Sequence, residues 1–228
     1  MTQRPLRIGH RGAAGHAPEN TLLSIETALS LGVDVVEIDV HRSRDGHLIV
    51  MHDERVDRTT NGSGYIRDLT LDELQALETP RRQWVPTLTE VLTAVQGRAA
   101  LMIEIKVRSI IEDAVRAVAT VAPELPVYYA SFLHSELLRV RELDPSAKTI
   151  ALIDAVPVAH TAFAVDARAT HAGIAFDTLD GGFVQALKDA GIGVFTYTVD
   201  DPRDIAQARS LGVDGMISNY PDRLLTVC

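Results

Sequence analysis

The chain has 228 residues, of which 46% are hydrophobic and 23% charged, and it carries a formal net charge of −9 at pH 7. That length and apolar content suit one large globular domain with a sizeable core. The acidic balance argues against nucleic acid or an anionic membrane as a bulk partner, because both reward net positive surface, while leaving room for a small anion at a local cationic site.

The first element is strand-like, "RIGH" (7–10), and runs straight into the loop "RGAAGHAPENT", where Asn20 or Thr21 is placed to cap a helix. The small residues of "GAAG" would let backbone pass close to a ligand, and Glu19 either serves the first helical turn or reaches a site. A helical pattern, "SIETALSLG", leads to the strand "VDVVEIDV" (33–40) and then to a second strand-like run, "HLIVMH" (47–52). The stretch that follows breaks the rhythm. "TNGSG" is turn chemistry, "LTLDELQAL" is a short helix with Thr70 and Glu73 in capping-box spacing, and Trp84 reads as a packing or lid residue. Alternation resumes with the helix "TLTEVLTAV" (87–95) and the strands "ALMIEIK" (100–106), "PVYYASF" (126–132), "KTIALI" (148–153), "AGIAFD" (172–177), "GVFTYTV" (193–199) and "DGMIS" (214–218). Segments such as "IEDAVRAVATVA", "SELLRVRELD", "GGFVQALKDAG" and "RDIAQARSLG" lie between them, with apolar residues at helical spacing.

Strands alternating with helices predict a parallel sheet built of βαβ units. "ALSLGVDVVEI" (28–38) and "ARSLGVDGMIS" (208–218) share one plan, and "LKDAGIGVFTY" (187–197) repeats it loosely. Gly32, Gly191 and Gly212 fall where a helix end needs a left-handed residue. With "HLIVMH" set aside, eight strands remain, which is the count of a (β/α)8 TIM barrel. Residues 1–228 then form one catalytic domain, with 41–87 as a small inserted subdomain between strand 2 and helix 2. An open doubly wound sheet is the alternative, but no GxGxxG loop supports it.

Side chains alternate across a strand, so in "VVEIDV" Glu37 and Asp39 share one face while Val36, Ile38 and Val40 share the other. Two ionised carboxylates close together in a core need cations, either a divalent metal or paired Arg and Lys. "MIEIK" repeats the device with Glu104 and Lys106; either Lys106 simply neutralises Glu104, or Glu104 is a third carboxylate beside the first two. Three carboxylates with no cysteine suit Mg²⁺ or Ca²⁺, with Mn²⁺ a further option, rather than structural zinc. His10 and His52 end strand-like runs, and active sites of such barrels lie at the C-terminal ends of the strands. Two histidines supply a general acid and a general base near neutral pH. Arg11 and Lys106 bring positive charge for an anion, and arginine matches phosphate with a two-pronged hydrogen bond. His16, His41, His47, His134, His160 and His171 read as surface or structural residues. Tyr197 either lines the mouth or packs.

"HRGAAGHAPENT" followed by "EIDVHRSRDGHLIVMHDERVDRTTNGSG" resembles the glycerophosphodiester phosphodiesterases, with "IEIK", "YYASF" and "NYPDRL" as later landmarks. The resemblance implies a (β/α)8 barrel with a small inserted subdomain. It implies hydrolysis of glycerophosphodiesters, such as glycerophosphocholine or glycerophosphoethanolamine, to glycerol 3-phosphate and an alcohol. By position, His10 and His52 are similar to the family's acid–base pair, Glu37, Asp39 and Glu104 to its metal ligands, and Arg11 and Lys106 to its phosphate contacts. Where many members carry "WTV", this chain has Tyr197 in "YTV", at a position that would shape substrate preference.

Other readings are a lysophospholipase D, which an apolar patch at the barrel mouth would favour, and a catalytically silent barrel that binds phosphorylated ligands. An isomerase or aldolase on the same fold would need Lys106 as its Schiff-base lysine. The mostly polar segment from Arg58 to Pro86 favours small soluble diesters. The lone cysteine, Cys228, implies no internal disulfide and no oxidising compartment. With no visible secretory signal and no apolar run near the ~18 residues of a membrane span, the expectation is a cytoplasmic protein without stable membrane association.

Overall fold

The computed structural model describes residues 4–226, so Cys228 lies outside the described residues. In chain order the elements are β1 (Leu6–Gly9), α1 (Leu22–Ser30), β2 (Val35–Arg42), β3 (Leu48–Val50), α2 (Leu71–Gln75), α3 (Leu88–Val95), β4 (Ala100–Ile105), α4 (Ile111–Val121), β5 (Val127–Ser131), α5 (His134–Leu143), β6 (Lys148–Ile153), α6 (Ala162–Asp166), β7 (His171–Ala175), α7 (Gly181–Asp189), β8 (Gly193–Tyr197), α8 (Pro202–Ser210), β9 (Gly215–Ser218) and α9 (Arg223–Thr226). Eight of these strands pair in parallel in the order β1-β2-β4-β5-β6-β7-β8-β9, and β9 pairs back onto β1, which closes the predicted (β/α)8 barrel.

Strand alternation builds two apolar layers. Outward-facing Val36, Ile38, Val40, Leu101, Ile103 and Ile105 pack on α1, α3 and α4, while α7 and α8 cover β7–β9 with Phe183, Leu187 and Ile205. The inward positions grade from apolar to polar along the strand direction: Val35, Glu37 and Asp39 on β2, Met102 and Glu104 on β4, and Ile8 followed by His10 at the end of β1. Below, Ile8, Val35, Met102, Tyr128, Ile150 and Phe195 fill the interior. The C-terminal rim is therefore where the polar groups gather, as barrel geometry favours.

Helix ends follow the sequence closely. Thr70 and Thr87 each close a reciprocal capping box, with Glu73 and Glu90. Thr21, not Asn20, caps α1. Gly32, Gly191 and Gly212 take φ of +73°, +74° and +78°, as a helix-to-strand return requires.

"HLIVMH" is a ninth strand of a different kind. β3 runs antiparallel to the end of β2, pairing Val40 with Val50 and Arg42 with Leu48. β2 itself continues to Arg42, two residues into the stretch that the sequence assigns to the insertion. Ile49, Met51, Val56, Ile66, Leu74 and Val85 form a small core of their own, with Trp84 exposed beside it. No helix among the described residues is long and apolar enough to cross a membrane.

Candidate active site

The parallel register sets Asp39 directly beside Glu104, and Glu37 beside Met102. One carboxylate oxygen from each of Glu37, Asp39 and Glu104 lies within 4.8 Å of the others, and Glu37 and Asp39 are buried. Their surroundings differ. Asp39 accepts a hydrogen bond from Asn20 Nδ2 at 2.8 Å, and has Arg11 Nε and Lys106 Nζ each at 3.4 Å. Glu104 accepts from Lys106 Nζ at 2.6 Å. Glu37 accepts only the backbone N–H of Arg11, at 2.7 Å, and no described cationic side chain pairs with it. Lys106 and Arg11 thus partner two of the three carboxylates.

The electrostatics follow. Burial raises Glu37 well above the ordinary carboxylate range, and repulsion from Asp39 and Glu104 adds to the shift. Glu104 is pushed up to about 7 by burial and by Asp39, against the pull of Lys106. Burial would raise Asp39 too, but Lys106, Arg11 and His52 together bring it down. A set of three oxygen-only side chains, one of them without a cationic partner, could hold a hard divalent ion.

Arg11 and Asn20 both adopt left-handed backbone conformations, with φ of 49° and 56°, which non-glycine residues take at some cost. They are locked there: the Asn20 N–H and Ser24 Oγ both donate to the Arg11 carbonyl, at 3.1 and 2.8 Å. The glycines of the "GAAG" turn are closely packed. A Cβ on Gly12 would lie 2.5 Å from Ser24, and one on Gly15 would lie 2.4 Å from the Tyr220 ring. Glu19 accepts from Arg11 at 2.7 Å and from both terminal nitrogens of Arg58 at 2.8 Å, so it reaches the site's rim instead of the helix turn.

His10 lines a pocket of about 300 Å³ together with Glu37, Glu104, Met102, Phe132 and Tyr197. Burial, with Arg11 next to it, lowers its pKa to about 4. Its Nδ1 is 2.7 Å from Asn219 Oδ1. His52 enters from the far side of Asp39. β3 carries it there, and the Met51 N–H donates to the Asp39 carbonyl at 3.0 Å. His52 Nδ1 donates to Asp53 Oδ1 at 2.7 Å, Arg58 holds Asp53, and buried His41 donates from Nε2 to the His52 carbonyl at 3.0 Å. Of the eight predicted site residues, His10, Glu37, Glu104 and Tyr197 line the pocket, Arg11 and Lys106 are tied to it through Asp39, and His52 lines a second cleft with Glu19, Asn20 and Met51.

Tyr197 contributes its ring. Its hydroxyl donates to the Ile153 carbonyl at 2.9 Å, and Phe132 meets the ring edge-on at 6.2 Å between centroids. Phe132, Asn219, Asn20, Asp53 and Arg58 escape a sequence reading. Phe132 falls inside the strand-like run "PVYYASF" and reads there as one more packing residue, whereas β5 ends at Ser131; the others depend on partners brought close only by the fold. Among the other histidines, His16 donates to Asp222, His134 to the Leu152 carbonyl, and His160 stacks on Phe183.

The pattern of the glycerophosphoryl diester phosphodiesterase family matches residues 10–223. A glycerophosphodiester phosphodiesterase from Caldanaerobacter subterraneus is 32% identical over 98% of each chain. One from Bacillus subtilis is 33% identical over 96% of this chain and 85% of its own. Among solved structures, a phosphodiesterase from Oleispira antarctica, in complex with the product sn-glycerol-3-phosphate, superposes with a TM-score of 0.93 at 29% identity, covering 98% of this chain and 96% of the other. By sequence and by fold, the chain belongs to the glycerophosphoryl diester phosphodiesterase family.

Proposed function

We propose that the protein cleaves small glycerophosphodiesters to glycerol 3-phosphate and an alcohol, with Glu37, Asp39 and Glu104 holding one divalent cation. The observation that carries this reading is the carboxylate triad itself: three acidic oxygens within 4.8 Å, with Glu37 unpaired by any described cationic side chain, and with Glu37 and Glu104 sharing a pocket with His10. Mg²⁺, Ca²⁺ or Mn²⁺ in that site would supply Lewis-acid stabilisation of the charge that develops on the phosphodiester.

The side chains have complementary tasks. Arg11 and Lys106 sit where a phosphate would meet fixed positive charge, and bidentate hydrogen bonding from the guanidinium would orient it. His10 and His52 form the acid–base pair: one takes the proton of the attacking hydroxyl, and the other gives a proton to the departing alcohol oxygen. Tyr197 and Phe132 form an apolar wall for the glycerol or alcohol end. The Oleispira antarctica enzyme's bound sn-glycerol-3-phosphate supports the product assignment. The barrel and its 41–87 insertion act together as one catalytic domain, since His10 comes from one and His52 from the other.

A second reading, lysophospholipase D, is favoured by the exposed Phe132, Val156 and Val158 on the loops after β5 and β6, at the same end of the barrel as the site. One experiment separates the two. Metal-stripped protein is assayed against glycerophosphocholine, glycerophosphoethanolamine and lysophosphatidylcholine, with Mg²⁺, Ca²⁺ and Mn²⁺ added back in turn. Turnover of the small diesters that returns with metal is the expected result; turnover confined to the lysolipid would replace the first reading with the second, and turnover without metal would remove the triad's assigned role.

A further inference from the structure

His10 is held at two points by residues at the end of β9. Its backbone N–H donates to the Ser218 carbonyl at 2.9 Å, and its ring Nδ1 lies 2.7 Å from Asn219 Oδ1. Asn219 is itself fixed: its Nδ2 donates to Asp200 Oδ2 at 2.7 Å and its backbone N–H to Asp200 Oδ1 at 2.8 Å. The Ser218 hydroxyl also donates to Asp200 Oδ1, at 2.8 Å, and Arg223 Nη1 donates to the Asp200 carbonyl at 2.7 Å. Asp200 is thus anchored at its backbone, and both of its carboxylate oxygens are engaged.

This arrangement leaves one orientation for the Asn219 amide. Rotated by half a turn, its carbonyl oxygen would face Asp200 Oδ2, and two acceptors at that distance repel. The oxygen must face His10. A carbonyl oxygen only accepts, so the proton of a neutral His10 ring sits on Nδ1. Nε2 then carries a lone pair. No described residue hydrogen-bonds to Nε2, and the ring lines the pocket that holds Glu37 and Glu104. His52 is built differently: its Nδ1–H meets the carboxylate of Asp53 instead of an amide.

We propose that Asn219, oriented by Asp200, is a positioning residue that holds His10 in the Nδ1–H tautomer, so that Nε2 is the proton acceptor of the reaction. The inference rests on the acid–base reading above. The attacking oxygen, of water directly or of the neighbouring glycerol hydroxyl with water opening the resulting cyclic ester afterwards, transfers its proton to His10 Nε2 while its electron pair forms the new bond to phosphorus. The bond from phosphorus to the departing alcohol oxygen breaks with its electron pair, and that oxygen takes a proton from His52. Serine hydrolases use the same economy, with a second residue fixing which ring nitrogen is free, and the wrong tautomer there costs most of the rate. Here the fixing group is an amide and the orienting carboxylate lies one residue further out.

The test reads the tautomer directly. Nitrogen-15 NMR is recorded on the full chain, labelled at histidine and saturated with Mg²⁺, with His10 assigned by its absence from His10→Ala. The expected wild-type signature is a protonated Nδ1 and an unprotonated Nε2. In Asn219→Ala this signature gives way to values averaged between the two tautomers. Turnover falls about 10- to 100-fold with KM changed by less than about threefold, the split expected when a proton acceptor is misset and binding is not. Asp200→Ala moves the His10 signals in the same direction with Asn219 intact. A wild-type His10 protonated at Nε2 overturns the proposal without need of any variant. So does Asn219→Ala with an unchanged His10 signature or unchanged kcat. If His10→Ala kept near-normal turnover, the acid–base reading itself would fail, an outcome that the NMR signature does not touch.

Discussion

A half-buried histidine with one ring nitrogen hydrogen-bonded is the smallest unit of this site, and His10 and His52 each supply one. Replacing either with alanine is expected to cut turnover of glycerophosphocholine at least ~100-fold at saturating metal, which steady-state kinetics will show. Tyr197 leads to the opposite expectation. Its hydroxyl is engaged by the Ile153 carbonyl, so only its ring is available to substrate. Tyr197→Phe should lower stability by about 1 kcal/mol in urea unfolding and leave kcat/KM within about twofold, whereas Tyr197→Ala should raise KM. The acidic triad was legible in the sequence because alternation along β2 and β4 puts Glu37, Asp39 and Glu104 on inward faces whatever else the chain does. Asn219 was not, because it meets His10 across 209 residues and nothing local to "NYPDRL" points there.

Between elements, the chief tie is a chain of charges from the β1–α1 loop to the segment after β3. Glu19 joins Arg11 to Arg58, and Arg58 clamps the Asp53 that orients His52. Burial alone would raise the Glu19 pKa; the guanidinium groups of Arg58 and Arg11 outweigh it and bring it down to about 2. An unfolded glutamate titrates near ~4.3. The stabilisation from Glu19 is therefore fully present above about pH 4.3 and is lost as pH falls toward 2. Glu19→Gln should be clearly less stable than wild type at pH 6, with the gap closing by about pH 2.5, in parallel urea titrations. At this scale the sequence showed the eight barrel strands, the capped helices and the turn-rich break after β2. It did not show that β3 pairs backwards on β2, because a three-residue strand carries no direction in its pattern. Nor did it show α6, since five residues are too few for a helical period to register.

For the molecule as a whole, the triad sets how stability depends on pH and metal. Glu104 is held near 7 and Glu37 well above its ordinary range, so without metal the folded state keeps protons that the unfolded chain has released by about pH 5. Stability of the metal-free protein should therefore fall as pH rises from about 4.5 through 7. A divalent ion bound by the triad, as proposed, would displace both protons, so its apparent affinity should strengthen by up to about a hundredfold per pH unit over the same range, with proton release visible as a buffer-dependent heat in calorimetry. A flat pH response would show that the carboxylates are already ionised without metal.

The apolar plug of Ile8, Val35, Met102, Tyr128, Ile150 and Phe195 has a kinetic consequence. It closes the barrel from below, which leaves one doorway for everything that enters or leaves. With the phosphate held at the triad by Arg11 and Lys106, as proposed, the alcohol would leave first and the phosphomonoester last. That order makes glycerol 3-phosphate a competitive inhibitor against the diester and the free alcohol a noncompetitive one, a pattern that initial-rate plots with each product added will reveal.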